Sequence, residues 1–117
     1  LRNLVRIDKS NPVVQQFILV NLTADSLRHE IEQRRRSRFY LAIAQAFKVV
    51  DLLDEAIDEA QRSLRDNPRN VDAWLFQAQL FEQKNLPFAA RWAYRQALLV
   101  DPEHPLAKAK TAGKNIP

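Results

Sequence analysis

When residues 37–70 are laid over residues 71–104, large apolar side chains fall on large ones and small on small, at an offset of 34. Tyr40 meets Trp74, Ala44 meets Ala78 and Phe47 meets Phe81, while Ala56 meets Ala90, Ser63 meets Ala97 and Pro68 meets Pro102. Tyr40 and Phe47 are seven apart and therefore share one face of a helix. The pattern predicts two antiparallel helices per unit, the first from about Arg38 to Val50 and the second from about Asp54 to Arg65. Ala44, Ala56 and Ser63 are expected where the two backbones approach most closely, because only small side chains permit a short interaxial distance.

The helix ends are also written in the sequence. Asp54 and Glu55 open the second helix and Arg62 and Arg65 close it, the order that the helix dipole favours. Pro87 fits the first turn of its helix, where no amide bond is lost. Asn70, and Asn11 before Pro12, are expected to act as N-caps. Between Val13 and Asn67 there is neither glycine nor proline, so nothing breaks a helix there. With one glycine in 117 residues, the chain is predicted to be all-α. The FILV run at residues 17–20 has strand propensity, but a lone strand among helices has nothing to pair with.

The residues Trp74, Ala78, Phe81, Ala90, Tyr94, Ala97 and Pro102, repeated as Tyr40, Ala44, Phe47, Ala56, Ala60, Ser63 and Pro68, resemble the tetratricopeptide repeat. The resemblance covers residues 37–104. It implies antiparallel helix pairs stacked as a right-handed superhelix, because neither pair can bury its apolar face alone. On this reading residues 37–70 and 71–104 are repeats. Residues 1–36 are N-terminal helices that form a degenerate or partial repeat, or an inserted helix, with LVRIDK (residues 4–9) as the end of an earlier helix. Residues 105–117 are a capping helix and tail, begun at Pro105 and stopped at Gly113.

Composition narrows the chemistry. Eighteen Lys and Arg against 14 Asp and Glu give a charge of +4, mildly basic for a nucleic-acid binder. There is no cysteine, so disulfides and thiolate metal sites are excluded and the compartment, cytoplasmic or periplasmic, stays open. Without methionine, Leu1 is no translation start, and the chain is expected to be part of a larger protein. The longest apolar run is too short to cross a bilayer. His29 and His104 lack metal-ligand spacing, and no phosphate loop or nucleophile elbow is present, so no catalytic residue, metal or cofactor is expected.

Three surfaces remain as candidates for binding. The resemblance implies a concave partner groove lined by Arg38, Leu41, Gln45, Lys48 and Val49, then Asp72, Leu75, Gln79, Glu82 and Gln83. Leu41 and Leu75 would anchor a peptide or helix, unless they only pack against neighbouring helices, and Gln45 and Gln79 would bond its backbone. Leucines and glutamines stand where a carboxylate-clamping subfamily has lysine and asparagine, which argues against that specificity. A second surface is the stripe Phe88, Trp92 and Leu99, which replaces charged Asp54, Asp58 and Arg65 of the preceding unit and suits an interface with a partner or a second copy. The third is the basic cluster Arg28, Arg34, Arg35, Arg36 and Arg38, interspersed with Glu30 and Glu32 as on a solvated helix. It would serve an acidic partner before a nucleic acid, since no aromatic side chain is interleaved to stack bases. The expected function is a non-catalytic scaffold that binds a segment of another protein. The alternatives are an internal stretch of a longer solenoid, self-association through the Phe88/Trp92 face, or RNA binding through the arginines.

Overall fold

The structure, a computed structural model, describes residues 10–112. The described residues are helical, without strands: α1 Pro12–Val49, α2 Leu53–Asp66, α3 Val71–Gln83, α4 Pro87–Val100 and α5 Pro105–Thr111. They fall into two compact units, Leu1–Glu32 and Gln33–Pro117.

The first unit is described over residues 10–32, the early turns of α1. Asn11 Oδ1 accepts from the Val13 amide at 2.8 Å, and Pro12 occupies the first turn, so the helix starts where the sequence predicts. The FILV run lies inside α1. Val13, Phe17, Leu19, Val20, Leu22, Leu27 and Ile31 are all exposed. The expected boundary before Ser37 is not a helix end. The first helix of the first pair begins at Pro12 rather than near Arg38, and one helix takes in both segments. The physical reason is the absence of any breaker in this stretch. LVRIDK and Gly113 lie outside the described residues.

In the second unit, α1 and α3 end in the same way. Asp51 and Asn85 stand 34 residues apart in the left-handed region, at φ 64° and 59°. The Leu52 amide reaches the Phe47 carbonyl and the Asp51 amide the Lys48 carbonyl. Leu86 repeats the first bond to Phe81, and Asn85 the second to Glu82. Both turns are Schellman motifs, with Asp and Asn as the side chains that tolerate positive φ best after glycine. Asn70 caps α3 by accepting from the Ala73 amide, and His104 caps α5 through Nδ1.

The core follows the pattern of small residues. Ala44, Ala56, Ala60, Ala78 and Ala97 are wholly buried. Between α1 and α2, Ser37 Oγ donates to the Ser63 carbonyl at 2.8 Å and Ser63 Oγ to the Ser37 carbonyl at 2.6 Å. One apolar cluster gathers Leu41, Leu64, Phe76 and Leu80. A second gathers Leu75, Tyr94 and Ala107 of α5. Trp74, partly buried, packs against both and donates its indole N–H to the Pro68 carbonyl at 2.8 Å. Repeated stacking of this kind gives the pairs a shared interior that neither has alone.

Candidate partner-binding surfaces

Along α1 and α3, Arg38, Gln45 and Asp72 are exposed, Lys48 and Gln79 are half-buried, and Glu82 is exposed. Leu41 and Leu75, expected as exposed anchors for a partner, are instead each only 8% exposed. Leu41 sits with Phe76 and Leu80 of α3, and Leu75 with Ala107 of α5. Their apolar surface is consumed between successive helices, which leaves a mostly polar face with Val49 as its exposed apolar residue. Lys48 Nζ lies 5.7 Å from the centre of the Phe76 ring, a cation–π distance. Glu82 accepts from the Tyr94 hydroxyl at 3.0 Å and from Lys110 Nζ at 2.9 Å. Burial, and then the Glu82 hydrogen bond and charge, hold the Tyr94 phenol above its ordinary value, so it stays a neutral donor. A cavity of about 480 Å³ beside these groups is lined by Leu86, Pro87 and Ala90.

The arginine run does not stand together. Arg28 pairs with Asp25 at 2.7 Å within the first unit. Arg36 turns to Asp66 at 3.5 Å. Arg34 and Arg38, one turn apart, line a cleft of about 300 Å³ together with Arg69, Asn67 and Asn70. Asp72 is the one carboxylate lining it. Arg69 arrives from the α2–α3 turn, far along the chain, so no local run could reveal it.

On the other side, Phe88, Trp92 and Leu99 are 66%, 50% and 75% exposed. Their spacing places Arg95, also exposed, in the same stripe of α4. Trp92 meets Trp74 edge-to-face, with ring centres 5.4 Å apart and planes at 80°. Beside this pair a cleft of about 330 Å³ opens between α2 and α4, walled by Leu64 and Phe81, with Gln61 and Arg65 also lining it. Gln77 lines it from α3. That side chain is 2% exposed, and among the described residues its Oε1 has no hydrogen-bond partner. No spacing rule points to Gln77, because a glutamine in a helix reads as a surface residue.

Among the described residues no group of three or more His, Cys, Asp or Glu could hold a metal ion. None of the helices is long and apolar enough to cross a membrane.

No family model and no curated protein matches the chain. A solved structure does: the crystal structure of MamA superposes with a TM-score of 0.56 at 20% identity over 65% of this chain. The fold is a tetratricopeptide-like helical solenoid. The matched part spans 45% of MamA, under half of that protein's length. At this identity the likeness speaks for architecture, and what the surfaces do rests on their own chemistry.

Proposed function

We propose that the chain is a non-catalytic module of tetratricopeptide type that holds an acidic segment of a partner protein along the α1–α3 face. The observation that carries this reading is the cleft lined by Arg34, Arg38 and Arg69, with Asp72 as the one carboxylate among the described residues that line it. Guanidinium groups pair with carboxylates in forked geometry. Gln45 and Gln79 extend the same face and can both donate to and accept from a peptide backbone. With Leu41 and Leu75 buried, recognition here is polar, and affinity should fall as salt rises.

Fluorescence anisotropy of a labelled Glu-rich peptide, with a labelled oligouridylate as the competing probe, tests the reading. Peptide binding weakened at least tenfold in R38E/R69E supports it. Binding of the oligouridylate in preference to the peptide moves the site to nucleic acid, and binding of neither removes the site.

A second reading is favoured by the exposed apolar residues between Val13 and Ile31. A helix apolar on most of its circumference is ordinarily enclosed. In that case the chain is a stretch of a longer solenoid whose other helices cover α1. Sedimentation of the chain with and without the F17E/V20E pair distinguishes the two: self-association removed by the pair favours the solenoid.

A further inference from the structure

We propose, on the acidic-segment reading of the α1–α3 face and resting on it, that the cleft of Arg38 and Arg69 takes a phosphoserine or phosphothreonine of the partner segment. Phosphorylation of the partner would then strengthen its binding. Two guanidinium groups carry this. Among the described residues neither Arg38 nor Arg69 makes an ion pair, although Arg28, Arg36 and Arg62 each have a carboxylate. Asp66, close to Arg69 in sequence, is taken by Arg36 at 3.5 Å. Asp72 lines the cleft without pairing with either. Arg34 has an interaction of its own, so it adds charge to the lining while the contacts fall to the other two.

The two arginines reach the cleft from separate elements, Arg38 from α1 and Arg69 from the α2–α3 turn. That turn is held in place. Asn67 Oδ1 accepts from the Arg69 amide at 3.1 Å, and Asn70 spends both ends of its side chain, on Ser37 Oγ and on the Ala73 amide. A carboxylate has two oxygens in one plane and is filled by one guanidinium fork. A phosphoryl group offers three tetrahedral oxygens and can take forks from two directions. Charge points the same way. Three arginines against one aspartate leave the lining at +2; a phosphate monoester carries about −1.5 to −2 at neutral pH, a carboxylate a single charge. An RNA phosphodiester is also singly charged, and no aromatic residue lines the cleft to stack a base. At about 300 Å³ the cleft lies at the small end of ligand sites, with room for one phosphorylated side chain.

Fluorescence anisotropy of three labelled peptides tests this. They are the Glu-rich peptide, the same peptide with its central Glu-Glu replaced by phosphoserine-Ala, which keeps the charge, and that second peptide without its phosphate. The phosphoserine form is expected to bind at least about fivefold tighter than the Glu-rich form and at least about tenfold tighter than the serine form. R38E/R69E should lose both acidic forms while keeping the helical circular dichroism of the parent. R38K/R69K keeps the charge but not the forks. It should erase the preference for phosphoserine and hold the Glu-rich peptide within about threefold of the parent. A preference that survives R38K/R69K would mean that the forks do not hold the phosphate, and the proposal falls. Equal affinity of the phosphoserine and Glu-rich forms for the parent overturns the phosphate site and leaves the acidic-segment reading standing, whereas binding of neither removes both. Preference for oligouridylate, or for phosphatidylcholine vesicles carrying a phosphorylated phosphatidylinositol, gives the site to nucleic acid or to a membrane surface and overturns the proposal.

Discussion

Ser37 and Ser63 each donate a hydroxyl proton to the other's backbone carbonyl, at 2.8 Å and 2.6 Å, across the contact of α1 and α2. Asn70, which caps α3, donates its Nδ2 to Ser37 Oγ at 2.9 Å, so one buried polar knot ties three helices. At the positions 34 residues later stand Val71 and Ala97, so the serine pair has no counterpart in the second pair, where the Tyr94 hydroxyl donates to Glu82 instead. The two junctions share a backbone geometry and differ in how they hold it.

Replacing Ser63 by Ala should therefore lower stability by about 1–2 kcal/mol, the range for a lost buried hydrogen bond together with the groups it leaves unpaired. Ser37→Ala should cost a similar amount. The double variant should cost less than their sum, because both remove the same reciprocal pair. Urea unfolding of the four proteins checks this, and strict additivity would show that the two hydroxyls act separately.

At the end of α3, Asn85 has φ 59°. Asn85→Gly should leave stability within about 0.5 kcal/mol or raise it slightly, whereas Asn85→Ala should cost about 1 kcal/mol, because Ala keeps the crowding of a Cβ in the left-handed region and loses the local hydrogen bonding by which a short amide side chain tolerates it. Thermal melts of both variants decide it, and the same pair at Asp51 should behave alike.

Helix pairing was legible in the sequence because it rests on side-chain size at fixed spacing: the alanines on which the alignment turned, Ala44, Ala56, Ala78 and Ala97, are wholly buried. The caps at Asn11 and Asn70 were legible for the same local reason. What a repeat alignment hides is whether a position faces solvent or the next repeat, and Leu41 and Leu75 show this. Each lies on a face that is outer within its own pair and inner once α3 or α5 stacks on it. The start of the first helix was misplaced because similarity between units begins near Ser37 while nothing in the chain interrupts the helix before it. Arg69 and Gln77 come to their clefts by long-range packing, and no spacing rule near them encodes that.

Leu75→Ala should destabilise the fold by about 2–5 kcal/mol, as for a leucine in a closed core. Leu75→Arg should go further and remove the cooperative melt, since it buries a charge with no partner. Circular dichroism with urea measures both. A Leu75→Arg protein that melts like the parent would return this residue to the surface.

The two tryptophans touch each other but should not be worth the same. Trp74 packs against both apolar clusters and bonds the Pro68 carbonyl, so Trp74→Ala should cost about 3–5 kcal/mol. Trp92 is 50% exposed and holds its place chiefly by the edge-to-face contact with Trp74. Trp92→Ala should cost no more than about 1–2 kcal/mol, the value of an aromatic pair with a modest area of burial. In the Trp74→Ala background the further loss from Trp92→Ala should shrink, because the ring it meets is gone. A double-mutant cycle by urea unfolding measures this coupling. A coupling near zero would mean that Trp92 owes its position to the α4 backbone alone and that the wall of the α2–α4 cleft is built by Trp74.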